Sequence, residues 1–239
     1  MKPVLAIETS SHKGGISLTD GTTLLASEYL PSQIHTKELI PAIKRLLLSH
    51  NLTFNSLSLV AVDVGPGSFT GVRIGLTCAK FISYLTSAPL VGVVSTDAIA
   101  RRLFEESRKR QKPPEQITVV LDAYRGMLYC ALYDENGNRR MLDLLSPESV
   151  KQYISSNSIV CGYGVERYKK ELSLKRETTA PETYHYPDPL YIALLGLHKF
   201  EIEKRDESKT VAPLYLRPSE AEERRGLALK PEDLHLEGE

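Results

Sequence analysis

One arrangement of local signals occurs twice in this chain and limits what it can become: three short strands joined by tight turns, then helix and strand in alternation. In the first occurrence, strands at Val4–Glu8 and Ile16–Thr19 flank the turn-rich run Thr9 to Gly15, and Asp20-Gly21 leads into a third strand at Leu24–Tyr29. A helix is predicted over about 36–50, because Leu39, Ile40, Ile43, Leu46 and Leu47 recur at helical spacing; Pro41 lies near its start, where proline costs least. A buried-type strand at Leu59–Val64, a helix through Val72–Leu85, a strand at Leu90–Val94 and a helix opening at Thr96-Asp97 and reaching about 108 complete the round. The second occurrence has strands at Ile117–Asp122, Leu128–Tyr133 and Arg140–Leu145, a helix from Pro147 to about 154 and a short strand at Ile159–Cys161. This is repetition of architecture without a residue-level repeat, and it predicts a duplicated α/β lobe.

The charged stretch 105–116, with Pro113-Pro114, reads as the linker. The expected organisation is therefore an N-terminal lobe over 1–110, a C-terminal lobe over 111–218 and a charged, mobile tail over 219–239, with a long helix at 190–204 packing back on the first lobe. A chain of 239 residues suits such a pair of lobes.

Charge and cysteine usage exclude several classes. Thirty basic residues balance thirty acidic ones, so counterion release gives little drive for binding RNA alone. The cysteines Cys78, Cys130 and Cys161 are far apart and lack C-x-x-C spacing, which argues against a disulfide framework or zinc site. No apolar run approaches a membrane span and the N-terminal strand is too short for a signal core; a cytoplasmic protein is expected.

Two glycine- and hydroxyl-rich turns have a ligand reading and a plain one. Glu8, Thr9 and Ser10 sit at the first hairpin, where hydroxyls either face a phosphate or only close a tight turn. Gly65 to Gly71 (G-P-G-S-F-T-G) joins a strand to a helix: Gly65, Gly67 and Ser68 offer an anion close approach to free N–H groups, or Ser68 or Thr70 caps the helix while Gly71 and Gly75 allow close packing. There is no G-x-x-x-x-G-K-[ST] loop. The Gly162-Tyr163-Gly164 turn is a weak signal of the same kind. The cations Arg101, Arg102, Arg108, Lys109, Arg110 and Lys112, relieved by Glu105 and Glu106, read first as a solvated helix end complementing its dipole, and second as an RNA patch.

With these runs in place, a resemblance becomes specific. Ala6-Ile7-Glu8-Thr9-Ser10, Gly65 to Gly75 (G-P-G-S-F-T-G-V-R-I-G), Val94 to Ala100, Leu121 to Arg125 (L-D-A-Y-R) and Pro213 to Arg217 (P-L-Y-L-R) resemble, in order and spacing, the TsaB family over nearly the whole chain. Glu8 departs from the family's usual aspartate and Gly126-Met127 from its usual polar pair.

The resemblance implies a two-lobed, actin-like ATPase (ribonuclease H-like) α/β fold with a mixed sheet and flanking helices in each lobe. It also implies a non-catalytic subunit that binds the catalytic paralogue TsaD, and with it the ATPase TsaE. That assembly transfers a threonylcarbamoyl group to the adenosine 3′ of the anticodon in tRNAs reading codons that start with A. The vestigial nucleotide-site candidates are then Glu8, Thr9, Ser10, Gly65, Gly67, Ser68, Asp122, Gly162 and Gly164. Catalytic and metal residues are expected to be absent. The catalytic paralogue's H-x-x-x-H pair has no counterpart among His12, His35, His50, His185, His198 and His235, and His35 reads as a cap or surface residue. No tightly bound cofactor is expected, only weak ATP or ADP binding, mainly in the complex; tRNA is met through the complex.

The partner surface is expected on the helices at 36–50 and 70–85, whose apolar residues exceed what one buried face needs: Leu39, Ile43, Leu46, Leu47, Thr70, Arg73, Ile74, Thr77, Cys78 and Phe81. The same surface would permit a homodimer when the chain is alone. Two other readings stand beside this one. An ATP-dependent phosphotransferase would need a metal-positioning aspartate where Glu8 stands, and a peptidase would need a G-x-S-x-G or H-E-x-x-H signature that does not occur.

Overall fold

The computed structural model describes residues 2–30, 35–111 and 113–217. The tail expected over 219–239, Lys112 of the basic cluster, His235 and the side chain of His35 lie outside the described residues. The chain forms two compact units, one from Met1–Ile99 and Tyr186–Pro213, the other from Ala100–His185 and the segment from Leu214.

The first unit is built on a five-stranded sheet of order β3-β2-β1-β4-β5, comprising β1 (Pro3–Glu8), β2 (Gly15–Asp20), β3 (Thr23–Tyr29), β4 (Leu59–Asp63) and β5 (Leu90–Val93). The first three strands pair antiparallel, and β4 and β5 continue parallel to β1. Every residue of β1 is buried, because this central strand is covered on both faces. Val4 and Ala6, with Leu59, Ala61, Val91 and Val93, face the helix α6 (Pro189–Glu203) through Tyr191, Ile192, Ala193 and Leu197. Residues in alternate register, Ile7 among them, face α2 (Phe69–Thr86), and α1 (His35–Leu48) packs beside α2 over β2 and β3. The β5 edge is closed by the chain itself. Glu207 N–H donates to the Leu90 carbonyl, Leu90 N–H to Asp206 Oδ1 and Gly92 N–H to Glu207 Oε2, leaving few ladder groups open for another strand.

The second unit carries a four-stranded sheet of order β8-β7-β6-β9, with β6 (Gln116–Asp122), β7 (Leu128–Tyr133), β8 (Arg139–Leu145) and β9 (Ser158–Cys161). Again the first three strands are antiparallel and β9 runs parallel to β6. Val120, Leu128, Cys130 and Val160 pack with Val150 of α4 (Pro147–Lys151) and Val165 and Tyr168 of α5 (Gly164–Tyr168).

The division between units falls inside α3 (Ser95–Lys109), not at the proline pair where composition placed it. Ser95 is tied to the first sheet through its N–H to the Gly65 carbonyl and its hydroxyl to Asp63. Phe104 instead lies against Gly137, and Glu106 accepts from the Tyr184 hydroxyl, both within the second unit. Two of the cations on this helix are paired along it, Arg101 with Glu105 at 2.5 Å and Arg102 with Glu106 at 3.3 Å, and Arg108 lies over the Phe104 ring. Arg108, Lys109 and Arg110 are exposed at the helix end. Among the described residues no helix is long and apolar enough to cross a membrane.

The first helix requires a correction. Leu39, Ile43, Leu46 and Leu47, expected on a partner surface, are interior residues, with Ile43 fully buried. Their wide apolar arc is used up within the unit because the helix is covered on two sides, by the β2–β3 surface below and by α2 alongside. The apolar residues of α1 that reach solvent are Ile40 and Leu48. Leu47→Ala is expected to lower unfolding stability by about 2–5 kcal/mol, as large-to-small core changes do, whereas Ile40→Ala lowers it by less than about 1 kcal/mol. Urea denaturation of the two variants measures the difference.

Candidate functional site

The residues singled out at the two turns of the first unit do come together, but they bind one another. β1 ends in Glu8 and β4 ends in Asp63, parallel neighbours whose C-terminal ends deliver both carboxyl groups to the same interior point. Glu8 Oε1 accepts the backbone N–H of Ser10 (2.6 Å), the N–H of Ser11 (3.0 Å) and lies 2.7 Å from the Ser10 hydroxyl; Oε2 accepts from the Ser11 hydroxyl. Asp63 Oδ1 accepts from Gly65 N–H (2.7 Å) and the Ser95 hydroxyl (2.6 Å), and Oδ2 lies 2.9 Å from the Ser10 hydroxyl.

The Ser10 hydroxyl thus sits between two carboxyl groups with one hydrogen to give. A carboxyl proton supplies the donor that the second short contact needs. Electrostatics lead to the same protonation. Full burial and the charge of Asp63 push Glu8 up to about 8, and burial pushes Asp63 up to about 6 against the pull of its hydrogen bonds. Near neutral pH the pair holds one proton.

The glycine loop meets this cluster from the other side. Ser68 N–H donates to the Ser10 carbonyl (2.7 Å), and the Ser68 side chain caps α2 by accepting from Gly71 N–H. The Thr9 hydroxyl donates to the Gly71 carbonyl at 2.7 Å. A Cβ at Gly71 would overlap the Thr9 carbonyl oxygen, and one at Gly67 would stand 2.6 Å from the Ser10 carbonyl oxygen. Two N–H groups at this helix start are thus taken up within the unit, that of Ser68 by the Ser10 carbonyl and that of Gly71 by the Ser68 hydroxyl, in the cap and close packing that the sequence also allows.

In the second unit Asp122, Gly162 and Gly164 also converge. Gly162, at φ +103°, turns the chain from β9 into α5 where a Cβ would overlap the Val120 carbonyl, and Gly164 lies beside the Asp122 backbone N–H. Asp122 Oδ1 accepts from Tyr124 N–H (2.9 Å) and the Tyr168 hydroxyl (3.2 Å), and Oδ2 from Arg167 (2.7 Å). This carboxylate holds the β6–β7 turn, in which Tyr124, Arg125 and Gly126 are successively left-handed at φ +60°, +51° and +76°. For the two residues with side chains that conformation costs on the order of 1–2 kcal/mol each. Arg217 Nη1 secures it from outside, donating to the carbonyls of Ala123 (2.8 Å) and Tyr124 (3.2 Å).

Several participants escaped the sequence reading. Asp63, Ser11 and Ser95 are as much part of the first cluster as Glu8; the one available signal was an aspartate closing an otherwise apolar strand. Arg167 and Tyr168 were missed because α5 is too short to show periodicity. Among the described residues no group of three or more His, Cys, Asp and Glu side chains is placed to hold a metal ion. The three cysteines are free, and burial pushes the thiols of Cys78 and Cys130 up to about 12.

Two mixed sheets, each opening with an antiparallel meander and flanked by helices, define an actin-like fold. YeaZ from Pseudomonas aeruginosa shares it with a TM-score of 0.77 at 22% identity, over 90% of this chain and all of that one. The family model for TsaD, tRNA N6-adenosine threonylcarbamoyltransferase, matches residues 29–153, just over half of the chain. The chain is 30% identical to the tRNA threonylcarbamoyladenosine biosynthesis protein TsaB of Bacillus subtilis (strain 168), over 92% of this chain and 96% of that protein. It is 29% identical to the protein of the same name from Escherichia coli (strain K12), over 67% of this chain and 71% of that one. The chain belongs to the TsaB family.

The carboxyl pair has a thermodynamic signature. Both groups titrate higher in the folded protein than in the unfolded chain, so their stabilisation is complete below about pH 4 and is lost as pH rises through about 6 for Asp63 and about 8 for Glu8. Between pH 6 and 8 the wild-type chain is expected to lose stability relative to Glu8→Gln on the order of 1 kcal/mol per pH unit. The glutamine keeps an oxygen for the two N–H donors and gives its amide hydrogens to Ser11. Parallel urea titrations of both chains across that range read the slope.

Proposed function

We propose that this chain acts in tRNA threonylcarbamoyladenosine biosynthesis as a non-catalytic subunit. In this reading it works in the cytoplasm, holding the catalytic paralogue TsaD through the open face of α2, with TsaE joining the assembly and tRNA met through it. The observation that carries the reading is the state of the first hairpin. Glu8 is fully buried with hydrogen-bond donors on both carboxyl oxygens, so the carboxylate that a phosphotransferase of this fold would aim at a metal is committed to Ser10 and Ser11. That weighs against the phosphotransferase alternative and leaves at most weak ATP or ADP binding, and that mainly in the complex. The peptidase alternative has no support from the serines of this cluster, whose hydroxyls donate to carboxyl groups and have no histidine partner among the hydrogen bonds described.

The binding surface follows from α2. Thr70, Arg73, Thr77 and Phe81 are exposed along one stripe, with Ile74 and Cys78 half-buried in it. The stripe runs on through Tyr84 and Leu85, which are 82% and 61% exposed. Arg73 lies over the Phe69 ring at 3.8 Å, which extends the flat surface at the helix start. Large apolar residues left in water along a helix stripe are what a partner helix covers, and a like surface on a paralogue or on a second copy would fit it.

The test is to mix the purified chain with TsaD and measure the mass of the product. A one-to-one complex is expected. Phe81→Glu is expected to weaken it by about thirtyfold or more, the loss that removal of a central anchor of about 2 kcal/mol entails, with the unfolding temperature unchanged. If TsaD fails to associate with the wild-type chain, or associates equally with Phe81→Glu, this reading is wrong.

A further inference from the structure

One contact in the first unit needs a proton, and the start of α2 depends on it. Glu8 Oε1, the Ser10 hydroxyl and Asp63 Oδ2 follow one another at 2.7 Å and 2.9 Å. Two gaps need two hydrogens, and Ser10 has one to give. The neighbouring hydroxyls are directed elsewhere, Ser95 at Asp63 Oδ1 (2.6 Å) and Ser11 at Glu8 Oε2. A carboxyl hydrogen fills the second gap.

Ser10 is also the joint between hairpin and helix. Its N–H and hydroxyl are held by Glu8, and its carbonyl takes the N–H of Ser68, the N-cap of α2, at 2.7 Å. Thr9 beside it donates its hydroxyl to the Gly71 carbonyl. The carbonyl oxygens of Ser10 and Thr9 stand where a Cβ on Gly67 or Gly71 would have to go. Packed backbone against backbone, the first turn of the helix moves when the hairpin moves. With the proton gone, two buried carboxylates compete for the one Ser10 hydrogen, and they gain by separating or by admitting water. Either movement passes through Ser10 to Ser68.

We infer that the Glu8–Asp63 pair is a proton-dependent lock on the first turn of α2, which holds Phe69, Thr70 and Arg73 in place at the head of the exposed stripe. That the lock also sets partner affinity rests on the reading of α2 as the surface for TsaD. Its direction follows from its surroundings. Burial first, and then the charge of Asp63, raise Glu8 to about 8, and burial raises Asp63 to about 6. The lock is therefore tightest in acid and loosens as pH rises through about 6 and then about 8. Of the other titratable groups around the pair, Asp97 in the first turn of α3 adds to the rise of Asp63. His12 and Lys13 of the hairpin meet the Tyr186 ring, Arg73 of α2 lies over Phe69, and β5 carries no titratable side chain.

The isolated full-length chain is compared with Glu8→Gln by hydrogen–deuterium exchange and mass spectrometry at pH 6 and at pH 8. Working at equal pH cancels the base catalysis of exchange. The ratio of wild-type to variant rates over residues 66–75 is expected to rise about fivefold or more from the lower pH to the higher. At pH 8 the wild-type segment is also expected to exchange faster than β1, whose amides open only with the whole unit. Within the wild-type chain the same rise is expected relative to residues 163–170 of the second unit, where Asp122 keeps Arg167 as its partner, so the comparison stands without the variant. An unchanged ratio in both comparisons overturns the lock. So does exchange of 66–75 no faster than that of β1, which makes the pair a contributor to global stability alone.

Calorimetric titration with TsaD at the same two pH values reads the consequence for binding. Its affinity for the wild-type chain is expected to fall about threefold or more, relative to its affinity for Glu8→Gln, as pH rises. Equal changes in the two chains overturn the link between lock and partner. If TsaD binds neither chain, the functional reading falls, and the exchange rates still decide the lock.

Discussion

Glu8 and Asp63 place two carboxyl groups at neighbouring strand ends in the buried interior of the unit, out of contact with bulk solvent, and much of the local sequence answers that problem. An ionised carboxylate is expensive to bury without donors, and two together repel. The hairpin supplies Ser10 and Ser11, the loop after β4 supplies Gly65 N–H, and the start of α3 supplies Ser95. Three chain segments separated in sequence are thereby fastened at one point. The same hairpin then offers its Ser10 carbonyl to Ser68 N–H, which fixes where α2 begins. The helix that carries the open stripe Thr70–Leu85 is therefore positioned by a polar cluster, and its glycines are the means of bringing it within reach.

Glycine in this loop has a different meaning from the one its spacing first suggests. A loop that cradles phosphate keeps its N–H groups pointing into empty space. Here Gly67 and Gly71 lie so close to the Ser10 and Thr9 backbone that any side chain would collide, and the Ser68 and Gly71 N–H groups are given to the Ser10 carbonyl and the Ser68 hydroxyl. The pattern G-P-G-S-F-T-G specifies contact between helix and hairpin as firmly as it would specify a ligand. Sequence alone leaves the two readings equal because both need the same absence of side chains.

What was legible in the sequence was what repeats over several residues. The strands emerged because apolar runs ended at turn residues such as Asp20-Gly21, and α1 because its apolar positions kept helical spacing. What depended on neighbours in space was not legible. The width of the apolar arc on α1 was real, but nothing local says that α2 covers its second side, so Leu39, Ile43, Leu46 and Leu47 were read as surplus when they are core. Composition marked Pro113-Pro114 as a boundary, yet the units divide within α3, whose first turn belongs to Asp63 and whose later turns belong to Gly137 and Tyr184. Asp63 itself was passed over because its partner Glu8 is reached only through sheet pairing.

The two units treat their strand-end carboxylates in opposite ways, and the contrast separates a structural lock from a displayed surface. Glu8 and Asp63 are fully enclosed, so the stable solution is to keep a proton and surround the pair with hydroxyls and N–H groups; the mutual repulsion is relieved and the hairpin is drawn inward. Asp122 is only partly covered, and Arg167 reaches it at 2.7 Å, so it has a cation for a partner and uses its other oxygen to hold the Tyr124 backbone. A buried, shared proton goes with a hairpin whose carboxyl groups are turned inward. A solvated ion pair at the corresponding point of the second sheet, where β6 turns into β7, produces a turn held rigidly outward. The same kind of residue at the end of the first strand of each meander thus draws one turn inward and holds the other outward, and the difference is set by whether the carboxylate keeps access to solvent.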